Sequence, residues 1–132
     1  VDWSDGRIKV DRVFVVHDCG QIINPDGLRN QIEGNVVQTI SRTLVEQLTF
    51  SRSAVTSLNW GSYPILTFPN VPEVLVDLVD RPSDVPWGAG EPTTSVVPSA
   101  IANAVFDATG ARVRSVPFRP ATVLTALSSI PK

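Results

Sequence analysis

The chain has few of the residues that build metal clusters and disulfides. Its 132 residues include one cysteine, Cys19, and one histidine, His17. A single cysteine excludes an internal disulfide and a cysteine-rich metal site, and it leaves the redox compartment undecided. No spacing typical of a zinc site is present, and no glycine-lysine-serine or glycine-lysine-threonine run that would cradle a phosphate.

An excess of one charge and a long apolar run are also missing. Thirteen acidic and eleven basic residues leave a net charge of −2, which is too small and too mixed to indicate binding to nucleic acid. No apolar run approaches the roughly 18 residues that cross a bilayer, and no basic-then-apolar leader is visible. We therefore expect no nucleic-acid partner and no transmembrane segment, while the compartment stays open.

Methionine is absent altogether, and the chain begins with Val1. The composition is otherwise that of a globular protein, with 42% hydrophobic and 18% charged residues, and the length is enough to bury a core. We expect residues 1–132 to form a single domain that is part of a larger subunit.

Hydrophobic periodicity predicts the secondary structure. Asn24 and Pro25 are typical of a helix cap and first helical position, and Gly110 of a helix end. Because proline fits only the first turn, Pro98 should lie at the start of its helix. The predicted elements are strand 7–16, helix 25–46, strand 48–51, strand 73–80, helix 96–108, strand 113–116 and a short terminal helix 121–128.

The order of the main elements is strand, helix, strand, strand, helix, strand. Such an order favours an α+β fold, in which helices stack on one face of a mostly antiparallel sheet and form a two-layer sandwich.

Residues 88–94 read GAGEPTT and place a carboxylate in an unusual setting. Gly88 and Gly90 remove side chains before Glu91, and Pro92 removes a backbone donor after it. Glycine allows a ligand to approach the backbone closely, so a glutamate that presses against a large ligand would suit this loop. A tight turn that happens to carry a glutamate is the alternative.

A second unusual glycine, Gly34, lies inside the first predicted helix, where glycine costs about 1 kcal/mol relative to alanine. Either another backbone or a ligand is expected close to it. Gln31, Asn35 and Gln38 share its polar helix face. A bulky polar ligand held by amides, with Glu91 as the proton-transferring group, would combine these features.

Three shorter motifs favour structural roles. His17 and Asp18 are adjacent on a strand and point to opposite faces, which argues against a catalytic pair. Cys19 is typical of a small buried hydrophobic residue. Residues 88–90 match half of a dinucleotide-binding fingerprint but lack its third glycine, so nucleotide binding of that type is not expected.

Three ordered segments, DCGQIINP at 18–25, QIEG at 31–34 and GAGEP at 88–92, carry a family resemblance. The chain resembles the C-terminal part of the molybdopterin-binding large subunit of the xanthine oxidase family of molybdenum hydroxylases. Within that family it is most similar to the bacterial beta subunits of isoquinoline 1-oxidoreductase. The resemblance covers nearly the whole chain.

This resemblance implies an oxidoreductase that hydroxylates an N-heterocycle or an aldehyde with water as the oxygen source. Glu91 would be the general base that takes a proton from a molybdenum-bound hydroxyl. Gln31 would contact the pterin of the cofactor, Gly34 would leave room for it, and the backbone of Gly90 would line the molybdenum site. The implied cofactor is molybdenum-molybdopterin in its cytosine dinucleotide form.

The same resemblance implies partners. They are the remainder of the large subunit, a small subunit that carries 2Fe–2S clusters, and a small-molecule substrate. The isolated chain of 132 residues is expected to be inactive. Two alternatives stay open: a non-catalytic remnant or assembly module that binds no cofactor alone, and an unrelated two-layer sandwich that binds a partner through its proline-rich loop.

Overall fold

The computed structural model describes residues 1–130 and has an α+β fold, as predicted. A two-stranded sheet packs against helices, which cover one of its faces. The elements in chain order are β1 (Arg12–Asp18), α1 (Pro25–Leu44), a 3-10 turn (Phe68–Asn70), β2 (Glu73–Val79), α2 (Pro92–Thr109) and α3 (Pro120–Ser128).

The sheet is parallel, so the expectation of a mostly antiparallel sheet is wrong. β1 and β2 pair in register from Arg12 opposite Glu73 to Asp18 opposite Val79. The connection between them contains the long helix α1, and such a crossover returns the chain in its original direction. An ion pair between Arg12 and Glu73 at 2.6 Å joins the two strands where they begin.

The strands predicted at 48–51 and 113–116 are not formed, and the predicted element order is corrected accordingly. Phe50 makes one isolated antiparallel bridge, to Val55. Residues 113–116 form no strand, and just after them the N–H of Phe118 donates to the carbonyl of Thr43 at the end of α1, at 2.7 Å. This chain segment therefore follows a helix end instead of joining the sheet.

Helix α1 begins as predicted. The Asn24 side chain accepts a hydrogen bond from the Gly27 N–H at 2.9 Å, and Pro25 occupies the first helical turn. A buried stripe runs along the helix through Leu28, Ile32, Val36 and Ile40. The stripe has the four-residue spacing that the sequence showed, because residues at that spacing lie above one another on a helix.

Helix α2 begins at Pro92, earlier than the predicted residues 96–108, and Pro98 lies inside it. The expectation that Pro98 marks the first turn is wrong. A proline inside a helix has no N–H to offer, so the carbonyl of Thr94 lacks its usual donor. The predicted end is confirmed: Gly110 closes the helix with a left-handed φ of 76°.

The interior consists of two apolar clusters. The larger one joins α1, α2, α3 and the segment before α3; its buried members are Val36, Ile40, Val97, Ile101, Val105, Ala111, Val113, Phe118, Val123 and Leu127. The smaller one contains Cys19, Leu28 and Ile32, packed beneath the inner face of the sheet. Cys19 is thus buried, as expected.

No helix within residues 1–130 combines the length and apolarity that crossing a membrane requires.

The Ile40 side chain is fully buried between the helices, so its truncation should leave a cavity. We expect Ile40→Ala to lower the free energy of unfolding by about 2–5 kcal/mol. Urea denaturation followed by circular dichroism measures this loss. Gln38→Ala, on the exposed face of the same helix, is the control and should change stability little. Equal stabilities of the two variants would contradict the described core.

Candidate functional site

The parallel sheet places two loops side by side at its carboxyl edge. The turn at residues 18–20 follows β1, and the loop at residues 80–91 follows β2. Arg81 joins them twice, through an ion pair of its Nε with Asp18 Oδ2 at 2.6 Å and a hydrogen bond from its N–H to the Gly20 carbonyl at 3.3 Å. The Trp87 N–H also donates to the Cys19 carbonyl at 2.8 Å. The second loop is therefore tied to the first.

Gly20 shows why this turn contains glycine. Its φ of 75° is left-handed, and an added Cβ would lie 2.3 Å from the Val85 carbonyl oxygen of the neighbouring loop. Asp18 forms the ion pair just described. His17 is buried, and the Nε2 of His17 has no hydrogen-bond partner within residues 1–130. The DCG segment thus has a structural explanation in the contact between the two loops.

Two side-chain amides of α1 converge on one carbonyl of the GAGEPTT loop. Gln31 Nε2 and Asn35 Nδ2 each donate to the Gly90 oxygen at 2.7 Å. Residues four apart share a helix face, so the loop is held against this face of α1. Gln31, Gly90 and the adjoining Glu91 are consequently brought together. Gly34 lies on the same side of the helix and lines a groove with Gln31 and Asn35.

Sequence reasoning grouped Asn35 with the other amides of the polar helix face but did not connect it with the GAGEPTT loop. The sequence placed it on the polar face of α1, one turn after Gln31, and that spacing was the available signal. In the structure Asn35 is 6% exposed, and its side-chain amide donates to the Gly90 carbonyl.

Glu91 has a fixed backbone and a free carboxylate. It is the N-cap residue of α2, but its side chain does not cap the helix. Its carbonyl accepts from the N–H of Thr94 at 3.0 Å and from the hydroxyl of Thr94 at 2.7 Å. Within residues 1–130 its exposed carboxylate takes part in no hydrogen bond or ion pair. The backbone of Glu91 is thus fixed by hydrogen bonds, while its carboxylate is free to accept a proton.

Three glycines of the site are not required by the fold. At Gly34, Gly88 and Gly90 an added Cβ would meet nothing within 4 Å, and none of them has a positive φ. The backbone or ligand that the sequence predicted close to Gly34 is therefore not supplied by residues 1–130. The tight-turn interpretation of the loop also loses support, because neither loop glycine adopts a conformation that needs glycine.

Two grooves meet at Gln31. One, of about 640 Å³, follows the polar face of α1, and its lining includes Asn30, Gln31, Gly34, Gln38, Trp60 and Tyr63. The other, of about 350 Å³, lies against the start of α1, and its lining includes Cys19, Asn24, Gln31, Trp87 and Gly90. At the far wall of the first groove, the Tyr63 hydroxyl donates to Glu46 at 2.7 Å, which raises the pKa of Tyr63.

The family model of the molybdopterin cofactor-binding domain matches residues 1–72, more than half of the chain. The chain belongs to this family. It is 47% identical over 127 residues to a nicotinate dehydrogenase polypeptide of Pseudomonas putida. It is 32% identical over 118 residues to the beta subunit of isoquinoline 1-oxidoreductase of Brevundimonas diminuta. The predicted resemblance to molybdenum-binding subunits of the xanthine oxidase family is confirmed.

The structural comparison agrees with the sequence comparison. Aldehyde oxidoreductase from Desulfovibrio gigas superposes with a TM-score of 0.84 at 27% identity over 98% of this chain. The matched region covers 96% of this chain in the Pseudomonas protein and 89% in the Brevundimonas protein. Conversely, the chain spans 11%, 15% and 14% of the Pseudomonas, Brevundimonas and Desulfovibrio proteins, which is less than a fifth of each.

The residues of the site fit a molybdopterin. A pterin edge carries both hydrogen-bond donors and acceptors, and the side-chain amides along the larger groove supply both kinds of group. Gly34, with no atom near its missing Cβ, leaves the middle of that groove open. Within residues 1–130, no three histidine, cysteine or acidic side chains are grouped as metal ligands.

The ion pair that ties the loops together should make stability depend on pH. The hydrogen bond from Arg81, followed by that from the Gly20 N–H, holds the pKa of Asp18 below its ordinary value of 3.8. A lowered folded-state pKa stabilises the fold above the unfolded value and loses this effect as pH falls through the folded value. We expect Asp18→Asn to be less stable than wild type near pH 6, with a difference that shrinks below about pH 4.

Urea midpoints of both proteins, measured from about pH 6 to pH 2, test this expectation. A difference that stays constant over that range would show that the carboxylate of Asp18 does not stabilise the loops by its charge.

Proposed function

We propose that this chain is part of the large subunit of a molybdenum hydroxylase, in which it presents Glu91 as general base and binds the pterin through Gln31. One observation carries the proposal. The Gly90 carbonyl accepts the Gln31 amide at 2.7 Å, which brings the helix face and the glutamate loop into a single site. The Glu91 carboxylate lies free beside that contact.

Each residue has a defined task in this proposal. Gln31 lies where the two grooves meet and offers its amide to the pterin, while Gly34 leaves room for the ring system. The backbone of Gly90 lines the reaction centre. When bound, the cofactor supplies the centre that accepts two electrons while oxygen derived from water enters the substrate. Glu91 accepts the proton released in that reaction, as a positioned carboxylate can.

The proposed substrates are N-heterocycles and aldehydes. Two similar proteins are named for nicotinate and isoquinoline, which are N-heterocycles, and a structural relative is an aldehyde oxidoreductase. These names support the substrate class without selecting one member of it.

Two kinds of partner belong to the proposal. Because the chain spans less than a fifth of these relatives, the remainder of the large subunit would complete the cofactor and substrate pockets. Electrons would leave through 2Fe–2S clusters on a partner subunit, since such a cluster takes four cysteine ligands and this chain has one cysteine. The cytosine dinucleotide form of the cofactor is also proposed, from the resemblance to bacterial members of the family.

The base is tested by Glu91→Gln in the assembly purified through a tag on this chain. Glutamine keeps the shape and removes the proton acceptor, so we expect turnover to fall about 100- to 10,000-fold. Turnover is followed with nicotinate, isoquinoline and benzaldehyde and a redox dye. Molybdenum and iron per copy, and the masses of co-purifying polypeptides, are measured on the same samples. Molybdenum content should equal that of wild type.

The control is Asp107→Asn, which changes an exposed acid near the other end of α2 and should leave turnover unchanged. Near-wild-type turnover of Glu91→Gln would refute the general-base assignment. A wild-type assembly without molybdenum, from cells whose other molybdenum enzymes are loaded, would favour the non-catalytic assembly module.

A substitution at Gly34 can distinguish an effect on fold stability from an effect on cofactor binding. Gly34→Ala should preserve or raise the stability of the chain, by up to about 1 kcal/mol, because alanine is the better helix former and its Cβ meets nothing. The same methyl group enters the groove, so we expect less molybdenum per copy in the purified assembly. Urea denaturation and metal analysis measure the two effects. Unchanged molybdenum content would show that the cofactor does not pass close to Gly34.

A further inference from the structure

We propose that Asn35 is a positioning residue, which holds the Gly90 carbonyl and thereby sets the place of the Glu91 carboxylate. This inference rests on the proposed function of Glu91. It assigns to Asn35 a task that is distinct from the binding of cofactor by Gln31, although both amides donate to the same oxygen at 2.7 Å.

Burial distinguishes the two amides. Asn35 is 6% exposed, whereas Gln31 is exposed and lies at the junction of the two grooves. A ligand in either groove competes for the Gln31 amide. Asn35 contributes to one groove only, and a buried donor left without a partner would carry an uncompensated desolvation cost. The Asn35 bond is therefore the one that persists when Gln31 turns to a ligand.

The geometry of the peptide unit transmits this contact to Glu91. The Gly90 carbonyl and the Glu91 nitrogen belong to one planar peptide group. Fixing the oxygen restricts that plane and hence the direction in which the Glu91 side chain leaves the backbone. On the other side, Thr94 holds the Glu91 carbonyl through two hydrogen bonds. Asn35 and Thr94 together restrain the main chain on both sides of the proposed base.

Helix propensity does not explain Asn35. Asparagine is a weaker helix former than leucine or alanine, and its neighbours Val36 and Ile32 are fully buried apolar residues. An apolar side chain would suit the position if only packing mattered, so the hydrogen bond to Gly90 is the feature that the asparagine adds.

The test compares Asn35→Leu and Asn35→Ala in the purified assembly. Leucine removes the amide but keeps approximately the shape of the side chain, whereas alanine removes both the amide and the shape. We expect molybdenum content and KM close to wild type and a fall in kcat of about 10- to 100-fold, the size that misplacement of a reacting group by about 1 Å produces. Gln31→Ala should instead lower molybdenum content. Thr39→Val is the matched control: its buried hydroxyl, one turn along α1, has no partner within residues 1–130, so kcat should not change.

A double-mutant cycle separates positioning from general structural support. If Asn35 acts through Glu91, Asn35→Leu should lower kcat little further in the Glu91→Gln background. A full additional loss in that background would overturn the inference. Wild-type kcat of Asn35→Leu would also overturn it, as would loss of molybdenum from that variant or failure of both Asn35 variants to assemble. Wild-type turnover of Glu91→Gln alone would refute the proposed function itself, and with it the role of Asn35.

Discussion

Because β1 and β2 run in the same direction, the two segments that leave the sheet at its carboxyl edge lie beside each other, and every contact of the site depends on this pairing. Helix α1 starts from the same edge and carries its amides beneath the second loop. An antiparallel arrangement of the same strands would place the turn at 18–20 and the loop at 80–91 at opposite ends of the sheet. Parallel pairing is therefore what makes one site out of three distant segments.

The loop that carries Glu91 is positioned by a few polar contacts instead of by a large apolar surface. Each hydrogen bond contributes about 1 kcal/mol net, but leaving a buried partner such as the Asn35 amide unpaired costs more. A surface ion pair such as that of Arg81 with Asp18 contributes little, because water and salt screen it. The carbonyl of Gly90, which accepts two amides, is consequently the main anchor of the loop.

The features that the sequence predicted well are local ones. The cap at Asn24, the buried stripe of α1 and the glycine end of α2 depend on neighbours within a few residues, and all three were confirmed. The parallel sheet was missed because strand direction depends on how α1 crosses over. The residues near Val113 were misassigned as a strand because an alternating pattern also suits a segment that packs on a helix end. Motifs drew attention to Glu91 and Gln31 as candidates, whereas the role proposed for Asn35 depends on a contact with a loop that is distant in sequence.

The chain contains two kinds of glycine: one that the fold itself requires, and others that no contact within the described chain requires. Gly20 is explained from within, since a side chain there would collide with the carbonyl of Val85. Gly34 and Gly90 have no such explanation, since an added Cβ would meet no atom of the described chain. Phe14 and Val16 are 71% and 70% exposed on the outer face of the sheet, and neither belongs to an apolar cluster of residues 1–130. Exposed apolar surface of this kind is typical of contacts with another part of a protein, and an unneeded glycine of contacts with a ligand. Both observations support a domain whose sequence was selected to bind a cofactor within a larger subunit.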